Sequence, residues 1–142
     1  MDINADIVPY FGAAGFLLYS EYLSEKGGIG GKYVDLNEDF FRVDIDDAVS
    51  LFYAKPNNQL FKISLGIGYK GTMNGVSPLG KTEEELYRLY PDLWYDDFEK
   101  LYWTDPLKGF FFETDPDTHC VSRVSIYIKE MEFNDVFFRF EW

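Results

Sequence analysis

Residues 106–130 read PLKGFFFETDPDTHCVSRVSIYIKE, and how they are read decides the fold. Phe110, Phe111 and Phe112 run into a turn rich in Asp and Pro, and an alternating stretch follows. Val124, Ile126 and Ile128 fall on one side of that stretch. Arg123, Ser125, Tyr127 and Lys129 fall on the other. This is the alternation of a strand in an antiparallel sheet with one buried and one wetted face. The triple Phe is then a strand buried on both faces, or one whose second face meets the C-terminal tail.

Residues 49–68, VSLFYAKPNNQLFKISLGIG, repeat the plan sixty residues earlier. Leu51-Phe52 falls on Phe111-Phe112, and Lys55-Pro56 on Asp115-Pro116. With one residue of slippage in the turn, Leu60-Phe61-Lys62-Ile63-Ser64-Leu65 falls on Val121-Ser122-Arg123-Val124-Ser125-Ile126. Gly15-Phe16 likewise pairs with Gly75-Val76. The chain therefore reads as a single domain over 1–142, with an internal pseudo-repeat of about 10–70 and 71–131 and a C-terminal tail at 132–142.

Working outward, TEEELYRLYPD carries the signals of a short helix. Thr82 is the N-cap and Glu85, three residues on, its capping-box partner. Pro91 ends it. The stretch LLYSEYLSEKGG predicts the matching helix of the first half, closed by Gly27. FFRVDIDD turns Phe41, Val43 and Ile45 inward and Arg42, Asp44 and Asp46 outward. LWYDDFEKLYW alternates without a clean apolar side and reads as an edge strand. IGGKYVDLNED reads as a loop, and EFNDVFFRFEW as a final strand. The expected fold class is α+β: two helix-plus-antiparallel-meander halves forming a shared antiparallel sheet with helices on one face.

Charge is the main functional signal. Thirteen Lys and Arg face twenty-five Asp and Glu, a formal net charge of −12. Such a field repels nucleic acid and anionic membrane and draws basic partners in. Aromatic residues make up 20% of the chain, enough to furnish recognition anchors as well as a β-rich core. One cysteine, Cys120, excludes an internal disulfide framework. The acidic first residues lack a signal-peptide n-region, so a cytoplasmic location is expected.

Chemistry has little to stand on. GGIGGK at 27–32 lacks the Ser or Thr that follows the lysine of a phosphate loop. His119 is the only histidine, and adjacent Cys120 is badly placed to be its nucleophile. Carboxylates cluster at Asp44, Asp46 and Asp47 and again at Asp96, Asp97 and Glu99, but without the spacing of an EF-hand. A carboxylate–metal hydrolase is the least favoured reading; no enzyme activity, cofactor or metal is expected. The remaining candidate is a partner-binding outward sheet face with Asp44, Asp46, Tyr53, Tyr95, Asp96, Asp97, Glu99 and Tyr127. Aromatic anchors ringed by carboxylates suit a basic protein.

The run FRVDIDDAVSLFYAKPNNQLFKISLGIGYKGTMNGVSPLGKTEEELYRLYPDLWYDDFE, followed by GFFFETDPDTHCVSRVSIYIKE, resembles small bacterial proteins encoded beside polymorphic toxins. FKISLGIGYKG, YDDFE, FETDP and VSIYIKE carry the likeness to immunity proteins of contact-dependent growth inhibition systems, over about residues 40–131. At the level of architecture the repeat is similar to β-lactamase-inhibitor-like proteins, which present a concave sheet to an enzyme. The resemblance implies an inhibitor. It would bind the C-terminal domain of a cognate toxin, a basic nuclease, as a monomer in a one-to-one complex, and occlude its active site. A protein-interaction module with another ligand is the alternative.

Overall fold

The computed structural model describes residues 1–23 and 30–142. A two-stranded hairpin, β1 (Gly12–Ala13) and β2 (Phe16–Leu17), precedes eight longer strands. These are β3 (Lys32–Asp35), β4 (Phe40–Ile45), β5 (Val49–Ala54), β6 (Gln59–Gly66), β7 (Leu93–Asp96), β8 (Leu101–Thr104), β9 (Phe110–Thr114) and β10 (Val121–Tyr127). They form one antiparallel sheet in the order β3-β4-β5-β6-β10-β9-β8-β7. Helix α1 (Glu83–Leu89) and helix α2 (Asn134–Phe137) are short, and a 3-10 turn spans Lys129–Glu132.

This corrects the α+β expectation. The protein is mostly β, and helices do not layer one face of its sheet. The buried face carries Val43, Leu51, Ile63, Leu65, Val124, Ile126 and Phe112, each at most 3% exposed. What covers it is mainly irregular chain: Ile7, Ala13, Ala14 and Leu18 from the N-terminal segment, and Tyr69 and Met73 from the connection after β6. Leu86 is the one buried residue of α1. Tertiary hydrogen bonds fix this cover, among them Ile7 N to Thr72 O (2.8 Å) and Ala14 N to the Tyr69 hydroxyl (2.9 Å).

The helix expected over LLYSEYLSEKGG is absent from its described part. Phe16-Leu17 pairs with β1 instead, and Leu60 binds both Tyr19 N (2.7 Å) and Ser20 O (2.9 Å). The rest of that segment, with Gly27 and most of the glycine-rich run, lies at 24–29, outside the described residues. Three further expectations change. LWYDDFEKLYW is a hairpin of two strands, because Asp96 turns the chain by accepting from Phe98 N (3.0 Å) and Glu99 N (3.2 Å). KYVD is the edge strand β3, not loop. The tail is not a strand; its helical turns stack Phe137 on Trp142 at 5.5 Å and set Phe137 against Phe61 at 5.2 Å. Helix α1 has the capping box read from Thr82 and Glu85.

The strand order is palindromic about β6 and β10, the last strands of two four-stranded meanders. The local geometry repeats as well. Ala14 and Gly15 turn β1 into β2 with φ of 58° and 83°, and Asn74 and Gly75 make the same left-handed turn at 52° and 80°. The double bond of Leu60 to residues 19 and 20 recurs as Gly80 N to Val121 O and Val121 N to Lys81 O, both 2.8 Å. In the central pair Ser64 faces Ser125. These two are equivalent in the repeat and so sit on its two-fold axis. Their buried hydroxyls bond at 2.6 Å.

Candidate functional site

Antiparallel pairing decides which turns share an end of the sheet. Val49 pairs with Leu65, Gly66 with Arg123, Arg123 with Glu113, Phe112 with Tyr102, and Leu101 with Asp96. The turns β4–β5, β9–β10 and β7–β8 therefore lie at one end. They carry Asp46 and Asp47, Asp115 and Asp117, and Asp97 and Glu99. Two acidic clusters far apart in sequence thus line one rim. From the first turn to the last is five strand spacings, or roughly 24 Å.

Some of these carboxylates build the turns. Asp96 holds the β7–β8 turn, and Asp115 Oδ1 accepts from Asp117 N (2.8 Å) and Thr118 N (3.0 Å). The Thr118 and Asp117 amides hold the Asp115 carboxyl below the usual carboxylate range. Asp97 pairs with Lys100 at 2.9 Å on the surface, a contact worth little net energy. Beside them Phe98 is 95% exposed. A bare aromatic ring at a turn tip among carboxylates has the composition of a docking anchor.

A groove of about 730 Å³ opens between α1 and the β7 edge, lined by Glu83, Tyr87, Tyr95, Lys100, Tyr102 and His119 among others; Lys100 is paired with Asp97. Tyr95 lies 4.7 Å from Tyr102, and Tyr87 6.2 Å from it, between ring centroids. The Tyr102 hydroxyl donates to Glu83. Burial and that carboxylate push the Tyr102 phenol up, so it stays a neutral donor. Rings with a carboxylate among them hold cations through the ring quadrupole and through charge. They offer no nucleophile. Cys120 Sγ faces the Thr118 carbonyl oxygen at 3.6 Å. Among the described residues no three His, Cys, Asp or Glu side chains gather as metal ligands.

The residues singled out from the sequence divide three ways. Asp96, Asp97, Glu99 and Tyr95 come together at the β7–β8 end, and Asp46 lies on the same rim. Asp44 faces the polar side of the sheet, bound by Arg42 at 2.7 and 3.0 Å and by Ser50 at 2.8 Å. Burial works to raise its carboxyl, but these bonds and the charges of Arg42 and Arg123 hold it low. Tyr53 and Tyr127 are each 1% exposed, so neither offers surface to a partner. Tyr53 is core, stacked on Phe41 at 5.1 Å. Tyr127 is on the polar side but lies among Tyr10, Trp103 and Phe111.

Sequence reasoning missed Phe98 at the turn tip, and Tyr87, Tyr102 and Glu83, which meet only because of strand order and the placement of α1. It also missed the cations of the polar side. There Lys62 and Arg123 occupy equivalent positions on β6 and β10, and Arg123 lines an open groove of about 410 Å³ together with Lys32, Arg42, Asp44, Asp46, Asp47 and Ser50. Among the described residues no helix is long and apolar enough to cross a membrane. No protein-family model, curated protein or solved structure matches the chain.

Proposed function

We propose that the protein is an immunity-type inhibitor that binds a basic toxin domain, a cognate nuclease, and covers its active site. One observation carries the reading: the carboxylates of three turns line one rim that ends at exposed Phe98, beside the tyrosine-lined groove. The rim offers negative charge for steering, an aromatic ring for burial, and a cation-holding groove for a Lys or Arg side chain. The same chemistry opposes nucleic acid and suits the basic surface with which a nuclease grips phosphate.

The test is association of the chain with the toxin domain encoded beside it. A one-to-one complex is expected, with an association rate that falls as salt rises. Asp97→Lys with Glu99→Lys lowers that rate by roughly tenfold, and Phe98→Ser speeds dissociation, with the folded spectrum intact in both. Rates unchanged by all three substitutions overturn the rim as the docking surface.

A further inference from the structure

The polar side of the sheet carries the opposite charge from the rim. Lys62 projects there between two rings, with Nζ 3.9 Å from the centroid of Phe52 and 5.8 Å from that of Phe111. Among the described residues it has no carboxylate within 4.0 Å, whereas seven other cations do. Burial pushes its pKa down to about 8; Arg123 and Arg42 press the same way, and Glu113 opposes them.

The neighbouring cations differ. Arg42 is occupied by its two bonds to Asp44. Arg123 is not, since Glu113, its nearest carboxylate, lies at 3.8 Å, beyond hydrogen-bond length. Lys62 and Arg123 are thus two open cations at repeat-equivalent positions on either side of the Ser64–Ser125 axis. The floor between them is small: Ser64 and Ser125, with Gly66 opposite Arg123. In a chain with nearly twice as many acids as bases, two open cations flanking one serine pair do not follow from composition.

We propose that this face is an oxyanion-binding site, in which Lys62 and Arg123 donate to one phosphate or carboxylate group held between Phe52 and Phe111. A lysine supplies a compact charge and an arginine a planar fork, and together they match either group. The desolvated ammonium supplies the driving force, because an anion restores the interactions that burial removed. Asp44 does not compete, being held by Arg42 and Ser50. Glu113 is the carboxylate the ligand displaces from Arg123. The proposal is independent of the docking role of the rim.

The test is a titration of the intact chain with inorganic phosphate and, separately, with citrate, each against sodium chloride at matched ionic strength. Nuclear magnetic resonance follows the Lys62 ammonium and the Arg123 guanidinium. A saturable shift of both groups is expected, with the Lys62 pKa rising by roughly one unit or more. Lys62→Met and Arg123→Gln each weaken binding by roughly tenfold or more. Arg123 is half exposed, so its variant keeps the fold, as does Lys62→Met, which removes a desolvated charge. Saturable binding of either anion supports the site, and the anion that binds identifies the group it takes. A response no larger than that to chloride, or one equally strong in Arg123→Gln, overturns it.

Discussion

Lys62 shows how one residue can oppose the fold that contains it. Its ammonium is buried beside two arginines, and its folded pKa falls to about 8 from an ordinary 10.5. The folded state therefore gives up this proton at lower pH than the unfolded chain. Stability must rise with pH across the window from about 8 to 10.5, where the unfolded chain still binds the proton. Below pH 8 the protein carries the full penalty, on the order of 3 kcal/mol. The tyrosines pushed upward by burial, as at Tyr53 and Tyr127, oppose this rise from about pH 10, where the phenols of the unfolded chain ionise, so the gain is read below that pH. Lys62→Met keeps the length of the side chain and its contact with Phe52 and Phe111. It is expected to be more stable than the parent at pH 7 by about 2 kcal/mol and to lose the rise toward pH 9.5. Urea denaturation at the two pH values checks both. A parent whose stability stays flat from pH 7 to 9.5 contradicts a desolvated lysine at this place.

At the scale of elements, the two left-handed turns are the sharpest mark of the repeat, and each rests on one glycine. Gly15 and Gly75 have φ of 83° and 80°, and a methyl group at Gly75 meets nothing within 4 Å. At Gly15 it meets Asp2 atoms at 3.7 and 3.8 Å, ordinary contact. Alanine at either position therefore costs backbone strain alone, about 1 kcal/mol. Gly15→Ala and Gly75→Ala should lower stability by similar amounts in urea, and a neutral Gly75→Ala contradicts the turn. Elements with a local chemical signature were legible beforehand. The capping box marked α1, and alternation marked β4, β5, β6 and β10. The Gly15–Gly75 offset marked a recurrence whose turn geometry became visible only in the dihedrals. Other elements lack such a signature. Strand β3 is exposed along most of its length, so no apolar alternation reveals it. The β7–β8 turn has neither Gly nor Pro, only Asp96 folding its carboxyl back on the chain. The apolar run after Gly15 fits a helix by spacing, but pairing with β1 and Leu60 decides its form. Of the candidate site, the acids in YDDFE were legible. Its tyrosines were not, since nothing local says that Tyr87, Tyr95 and Tyr102 converge, or that Tyr53 points into the core.

For the whole molecule, the question is whether two similar meanders behave as two units or one. The structure argues for one. The central strands pair over Ser64 and Ser125, and Ile63, Leu65, Val124 and Ile126 beneath them are fully buried. The N-terminal segment crosses to the second connection through Ile7 and Thr72 and through Ala14 and Tyr69. The tail returns to the first half, where Trp142 packs toward Phe61 at 6.2 Å. A single meander would expose the long inner edge of β6 or β10 and lose this cover. Trp94, Trp103 and Trp142 all lie in the second half or the tail, so tryptophan fluorescence reports on that part of the chain alone. Ile63→Ala alters the first half beneath the central pair and removes buried volume at a cost of about 3 kcal/mol. In a single cooperative unit the fluorescence midpoint in urea must fall by the full amount and coincide with the midpoint from far-ultraviolet circular dichroism. If the fluorescence midpoint stays in place while the dichroism midpoint moves, the meanders unfold separately, and the central hydroxyl pair joins two domains instead of lying inside one.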